Sequence, residues 1–144
     1  MNVKQPDRIS ISKKAKQVVD GIENTGLLNL HNKFTSRAEL FSFALALGVE
    51  IETETNIASN VSLVLDSSID PRTKAIIYAL FICSIDNKET LDEVITKGDV
   101  YIKAQNYANT GFEILEDYAS KKSENVMWEL ISQLDDQYEK CSID

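Results

Sequence analysis

The stretch FTSRAELFSFALALGVEI, residues 34–51, decides the fold of this chain. Ser36 and Glu39 stand at the spacing of a capping box, in which each side chain accepts from the other residue's backbone N–H, so they predict a helix start. Gly48 predicts its end, since glycine adopts the left-handed conformation that closes many helices. The residues between are apolar on nearly every side except at Ser42. A helix that is apolar all round is normally buried. We therefore expect either the central helix of the domain or a helix at an oligomer interface.

Helical patterns continue through most of the chain. RISIS, residues 8–12, alternates polar and apolar residues as a short strand does, and VSLVL in the weakly patterned segment 52–69 predicts either a strand or an apolar loop anchor. Asp70-Pro71 predicts a helix start, because aspartate caps and proline fits the first helical position. The fold class predicted is all-α, a single-domain bundle of about six helices with a possible short N-terminal strand. The predicted helices cover approximately residues 12–24, 36–48, 71–85, 87–98, 99–122 and 123–141. In the last of these, Ile131, Leu134 and Tyr138 recur at spacings of three and four, so we expect them to face inward.

Charge is distributed unevenly over this single predicted domain, residues 1–144. Residues 1–50 carry 7 Lys/Arg against 5 Asp/Glu, a net +2, and residues 51–144 carry 8 against 18, a net −10. We divide the domain into a basic N-terminal helical unit (8–48) and an acidic helical remainder (70–141). An acidic chain is a poor candidate for DNA binding over its whole surface, because phosphate contacts need local positive charge. No apolar stretch approaches the ~20 residues that span a membrane, and we expect a cytoplasmic protein without a membrane partner.

The sequence contains no recognisable catalytic or metal-binding motif. There is one histidine, His31, and the two cysteines, Cys83 and Cys141, form no CxxC pair. Cys83 lies in an apolar run, which predicts a small core residue. Glycine-rich phosphate loops, a G-x-S-x-G nucleophile and E-x-x-H metal pairs do not occur in the sequence. We therefore predict no catalytic residues, no metal and no cofactor.

The N-terminal segment supports a DNA-binding hypothesis. A strand followed by two helices is the order of ribbon-helix-helix dimers, whose two-stranded ribbon enters the major groove and reads bases with its outward side chains. Strand alternation would turn Ile9 and Ile11 inward. The candidate DNA-binding residues are Arg8, Ser10, Ser12, Lys13, Lys14 and Lys16. The protein would act as a homodimer.

YIKAQNYANTGFEIL, residues 101–115, is the second unusual stretch. Asparagine, threonine and glycine interrupt a sequence of good helix formers, and the glycine alone costs about 1 kcal/mol relative to alanine. A small residue such as Gly111 allows another backbone to approach closely, most plausibly that of one of the apolar helices. The functional alternative is a groove for a partner or ligand, lined by Asn106, Tyr107 and Asn109.

Both stretches resemble segments of a family of small helical proteins. FTSRAELFSFALALGVEI is similar to a core of the form phenylalanine, a few residues, LF-x-FA-x-x-LG, and residues 101–115 are similar to an E-x-YAN-x-G-x-x-x-L segment. Tyr107, Ala108, Asn109, Gly111 and Leu115 match the second segment, while Gln105 stands where the family has glutamate. The resemblance covers roughly residues 30–120. Such proteins are encoded beside bacterial DNA phosphorothioation (Dnd-type) and phage-defence gene clusters, and the resemblance carries no catalytic residues.

These observations together predict a non-enzymatic accessory protein. It would act by binding a protein partner in a DNA-modifying or defence complex. The alternative is a dimeric DNA-binding protein that uses the basic strand-helix segment.

Overall fold

The computed structural model describes residues 6–25, 36–56, 60–84, 96–120 and 123–141. It contains two strands, β1 (Arg8–Ser12) and β2 (Asn60–Leu65), and one turn of 3₁₀ helix (Asp66–Ser68). The helices are α1 (Lys13–Thr25), α2 (Arg37–Glu50), α3 (Pro71–Cys83), α4 (Lys97–Ser120) and α5 (Ser123–Cys141). The chain is thus mostly helical, as the sequence predicted. The described ranges hold five helices rather than six, and most of the fourth predicted helix, 87–98, lies outside them.

The predicted N-terminal strand is confirmed, and VSLVL supplies its partner. β1 and β2 pair antiparallel, with Ile9 opposite Val64 and Ile11 opposite Val61, and the register shifts between Ile9 and Ser10. Ile9 and Ile11 are fully buried, as strand alternation predicted. Because one face of the strand pair is buried in this way, the small sheet belongs to the core rather than to a surface hairpin.

The central helix is α4 and not α2, contrary to the sequence-based expectation. α4 packs against β1 and all of the other four helices. The residues of α4 that face the core recur at helical spacing and are all buried. They are Tyr101, Ala104, Ala108, Phe112 and Leu115. α2 buries only one side: Ala46 is exposed, and Phe43 and Leu47 are half-buried. An apolar sequence therefore did not guarantee burial on every side, since no element in the described ranges covers the outer face of α2.

α2 and α4 cross antiparallel with their backbones in contact. A Cβ placed on Gly48 would overlap the carbonyl of Tyr107 and lie 3.1 Å from its Cα. A Cβ on Gly111 would overlap the carbonyl of Ala44 and lie 2.7 Å from its Cα. The predicted close approach at Gly111 is thus confirmed. The predicted helix stop at Gly48 is wrong, because this glycine lies inside α2 and makes room for α4.

α2 begins as predicted and ends two residues later than predicted. The backbone N–H of Glu39 donates to Ser36 Oγ (3.2 Å) and that of Ser36 donates to Glu39 Oε2 (2.9 Å), which is the capping box. The helix ends at Glu50, Ile51 is its C-cap residue, and Glu52 after the cap has a positive φ of 51°. The N–H of Glu52 donates to the carbonyl of Val49 and that of Thr53 to the carbonyl of Gly48, so the end is a Schellman motif. Glutamate, not glycine, occupies its left-handed position.

Two further helix starts rest on local side chains. Asp70 Oδ1 accepts from the backbone N–H of Thr73 (3.0 Å) ahead of Pro71, as the sequence predicted for α3. At α4, Thr96 Oγ1 accepts from the backbone N–H of Asp99 (3.1 Å) and caps the helix. Gly98, predicted to end the preceding helix, therefore lies in the first turn of α4.

Candidate functional site

Two side-chain amides of α4 accept hydrogen bonds from the edge of β1 that faces away from β2. Gln105 Oε1 accepts from the backbone N–H of Ser10 (2.6 Å), and Asn109 Oδ1 accepts from that of Ser12 (2.9 Å). Residues four apart on a helix are separated by about 6 Å along its axis, and residues two apart on a strand by a little more. Because the two spacings match, Gln105 and Asn109 can bind alternate N–H groups of β1. We call this pair of amides the polar ladder. It satisfies two strand N–H groups that point away from β2.

The polar ladder closes the edge of β1 and corrects the DNA hypothesis in two respects. In this fold β1 pairs with β2 of its own chain, and its other edge is occupied, so β1 offers no edge for a ribbon shared with a second copy. Ser12 was expected to point outward but is buried, and its Oγ accepts from the backbone N–H of Ala15 (2.9 Å) at the start of α1. Ser10 is half-buried and Arg8 is exposed.

Most of the predicted basic patch is paired with carboxylates of the same chain. Lys14 Nζ lies 3.1 Å from Glu116 Oε2, and this hydrogen bond and the neighbouring charge raise the pKa of Lys14. Lys16 forms an ion pair with Asp20 one turn along α1. Arg8 Nε lies 3.2 Å from Asp7, and Lys13 is exposed. The local potential is therefore weaker than the sequence suggests, which reduces the expected attraction for phosphates.

The three residues predicted to line a groove all make contacts within the fold. Asn109 is buried, and its Nδ2 donates to the carbonyl of Thr55 (3.3 Å), so one side chain joins β1 to the segment after α2. The carbonyl of Asn106 accepts from the backbone N–H of Thr55 (3.0 Å). Tyr107 is half-buried, with its carbonyl against Gly48 and Lys103 Nζ 5.6 Å from its ring centre. The structure thus shows packing and hydrogen-bonding roles for these positions, and the groove stays a prediction.

A charged cluster joins the 3₁₀ turn to α3 and α4. Asp66 accepts a hydrogen bond from the hydroxyl of Tyr101, and its Oδ2 lies 2.9 Å from Lys97 Nζ and 3.3 Å from Lys74 Nζ. The Tyr101 hydrogen bond, assisted by the two ammonium groups, lowers the pKa of Asp66 to about 2. Burial and the same carboxylate raise the pKa of Tyr101. The carboxylate of Asp66 thus pairs with all three other groups and connects the 3₁₀ turn to α3 and α4.

α3 presents an apolar face to the outside. Ile77 is its buried residue, whereas Ile76, Tyr78 and Ile82 are 50%, 37% and 46% exposed. Cys83 is exposed too, so its predicted place in the core is wrong. We call the exposed positions of this helix face the α3 outer face: 72, 75, 76, 78, 79, 82 and 83. Arg72, in the first turn, is the only charged residue among them.

α5 also exposes the face that the sequence predicted to be buried. Ile131, Leu134 and Tyr138 are 41%, 64% and 75% exposed, although their spacings of three and four are those of a core-facing stripe. Within the part of α5 whose side chains are described, residues 131–141, nearly every residue is exposed. Gln133 accordingly reaches Tyr118 of α4 by a side-chain hydrogen bond on another side of the helix. We call Ile131, Leu134, Tyr138 and Cys141 the α5 seam.

The described ranges contain neither a metal-binding cluster nor a membrane-spanning helix. No group of three or more His, Cys, Asp or Glu side chains there is arranged to hold a metal ion. None of the described helices combines the length and apolar character needed to cross a membrane. His31 lies outside the described residues.

Comparison with known proteins supplies no family. No protein-family model matches the chain, and no curated protein or solved structure matches it. The candidate functional surfaces are therefore defined by the structure alone, as the α3 outer face and the α5 seam. Sequence reasoning missed the first because a uniformly apolar helix predicts burial. It found Ile131, Leu134 and Tyr138 of the second but assigned them to the core.

Proposed function

We propose that this protein is a non-enzymatic accessory protein of a bacterial DNA-modification or phage-defence system, and that it acts by binding a partner protein. The observation that carries the proposal is the α5 seam. Large apolar side chains exposed in a row are uncommon on monomeric surfaces and typically mark an interaction site. The resemblance of two segments to proteins encoded beside DNA phosphorothioation clusters supports the kind of complex in which the partner belongs.

The spacing of the α5 seam indicates a helical partner. Ile131, Leu134, Tyr138 and Cys141 are separated by three, four and three residues, the pattern in which two helices pack side chains of one into gaps of the other. Asp135 stands beside this stripe, with Asp136 and Glu139 on the rest of the helix, all exposed. A helix that carries an apolar stripe and basic flanking residues would match both features.

The same acidic surroundings disfavour nucleic acid at this surface. DNA binding through Arg8, Ser10, Ser12, Lys13, Lys14 and Lys16 remains the alternative prediction. The in-chain ion pairs of Lys14 and Lys16 weaken it, because DNA phosphates would have to displace those carboxylates.

The test is binding to purified subunits of a Dnd-type phosphorothioation complex from the same bacterium, followed by biolayer interferometry. We expect one subunit to bind and the double variant Leu134→Ser/Tyr138→Ser to bind at least tenfold more weakly. The control, Ile51→Ser/Leu65→Ser, removes apolar residues that are each 49% exposed elsewhere on the surface, and should bind like the wild type. If no subunit binds, or if the seam variant binds as well as the control, the proposal is wrong.

A further inference from the structure

Two lysines from different helices share the carboxylate of Asp66. Lys97 Nζ of α4 and Lys74 Nζ of α3 both approach the same oxygen, Oδ2, at 2.9 and 3.3 Å. Among the described residues, no second carboxylate lies within ion-pair distance of either lysine. Two positive charges against one negative charge leave a net charge of +1. We call these three residues and Tyr101, whose hydroxyl donates to the same carboxylate, the Asp66 cluster.

The two ammonium groups of the Asp66 cluster are accessible from outside and keep free donors. The side chains of Lys74 and Lys97 are 33% and 25% exposed. An ammonium group has three N–H donors, and Asp66 takes one from each lysine. Because both groups are also partly shielded from water, their attraction for an anion is stronger than at a fully exposed position.

Tyr78 adds a hydroxyl donor on the same side of α3. It follows Lys74 by four residues, so the two side chains are neighbours on the helix surface. Its negative charge would act on Tyr101 and helps to raise the pKa of that residue, which places Tyr78 beside the cluster. Tyr78 is exposed, and no residue in the described ranges accepts a hydrogen bond from its hydroxyl.

We propose that the Asp66 cluster and Tyr78 bind a small ligand through a single phosphate group. The oxygens of one phosphate can accept from both ammonium groups and from the Tyr78 hydroxyl, while Asp66 keeps its contacts on the inner side. Lysine is a common phosphate ligand because it supplies a full positive charge. The pKa of Asp66, lowered to about 2, shows that the field at this position favours negative charge.

The charge of the surrounding chain restricts the ligand to a small one. Residues 51–144 carry 8 Lys/Arg against 18 Asp/Glu, a net −10. A nucleic acid would bring many phosphates against this acidic surface, whereas a single phosphate group needs only the local positive charge. No residue of the α5 seam takes part, so the phosphate site does not depend on the proposed accessory role.

Titration of the full chain with inorganic phosphate, followed by ¹H–¹⁵N NMR, tests the proposal. Sodium chloride keeps the ionic strength constant, so that general screening does not contribute to the signal. We expect saturable shifts of the backbone amides of Asp66, Lys74, Tyr78 and Lys97. The dissociation constant should be about 1 mM, at the weak end of ligand binding.

Lys103 provides a matched control on α4. It also lies over a tyrosine four residues later, with its Nζ 5.6 Å from the ring centre of Tyr107, but it pairs one to one with Glu54 at 2.7 Å. Lys103→Met should therefore bind phosphate like the wild type, whereas Lys74→Met and Lys97→Met should each bind at least tenfold more weakly. Either of these two variants leaves one lysine to pair with Asp66, and far-UV circular dichroism would verify that the helix content is kept.

Tyr78→Phe separates a phosphate contact from a structural role, because it removes only the exposed hydroxyl. We expect it to weaken phosphate binding about threefold, the loss of one neutral hydrogen-bond donor. Three results would overturn the proposal. The first is the absence of saturable shifts, and the second is an equal loss of affinity in Lys103→Met. The third is duplex DNA that shifts the same amides at a lower phosphate concentration, which would assign the cluster to nucleic acid.

Discussion

Replacing Gly48 with alanine tests the backbone contact between α2 and α4. The new Cβ would overlap the carbonyl of Tyr107, and a helix backbone cannot rotate away as a side chain can. Overpacking a core costs about 1–3 kcal/mol, and a clash with backbone belongs at the upper end of that range. Alanine returns about 1 kcal/mol because it favours a helix interior more than glycine does. We expect Gly48→Ala to lower the free energy of unfolding by about 2 kcal/mol.

Gly21 of α1 provides the matched control. A Cβ placed there meets no atom within 4 Å, so Gly21→Ala should gain only the helix propensity and stabilise the protein by about 1 kcal/mol. Thermal unfolding followed by circular dichroism should show the Gly48 variant melting about 4–8 °C lower and the Gly21 variant about 2–4 °C higher than wild type. A Gly48→Ala protein as stable as the wild type would refute the close crossing of α2 and α4, and with it the interior role assigned to this glycine.

Four further outcomes follow from the same contacts. Glu52→Gly should stabilise the protein by about 1 kcal/mol in urea unfolding, because glycine takes the left-handed conformation without strain; equal or lower stability would argue against that helix end. The depressed pKa of Asp66 stabilises the fold above the ordinary carboxyl pKa, and this contribution of about 2 kcal/mol should be lost as pH falls from about 4 to about 2. Asp66→Asn should flatten that part of the stability–pH curve, and an unchanged curve would contradict the cluster. Asn109→Ala should cost at least 2 kcal/mol by leaving the N–H of Ser12 buried without an acceptor, whereas a cost below 1 kcal/mol would mean that water replaces the amide. Fluorescence anisotropy with labelled duplex DNA at two salt concentrations should detect no salt-sensitive binding, and such binding, lost in Arg8→Ala, would restore the DNA alternative.

Local chemistry made the helix starts predictable. The capping box at Ser36 and the aspartate-proline pair at Asp70 act within one turn of the chain, so their residues contain all the information needed. The end of α2 was not predictable in the same way. Glycine both ends helices and lets helices approach, and what distinguishes the two roles at Gly48 is Tyr107, a residue far along the chain.

Burial was harder to predict than helicity. The spacing of Ile131, Leu134 and Tyr138 gave the helix and its apolar face correctly, and the apolar run around Cys83 gave α3. Spacing shows that one side of a helix is apolar, but it does not indicate which element, or which molecule, covers that side. The candidate binding surfaces are thus the places that the sequence wrongly predicted to be part of the core.

The structure also explains what the resemblance at residues 101–115 can and cannot support. The matched residues Asn109, Gly111 and Leu115 respectively hold β1, admit α2 and fill the core. Gln105 accepts the N–H of Ser10 through its amide oxygen, a task that a carboxylate oxygen could also perform. Glutamine there avoids burying a charge, so the departure from the family's glutamate leaves the contact with β1 intact. The segment therefore specifies how α4 is held between a strand and a helix. Any binding specificity has to reside in surfaces that this segment does not include, which is why the α5 seam and the α3 outer face are the surfaces to mutate.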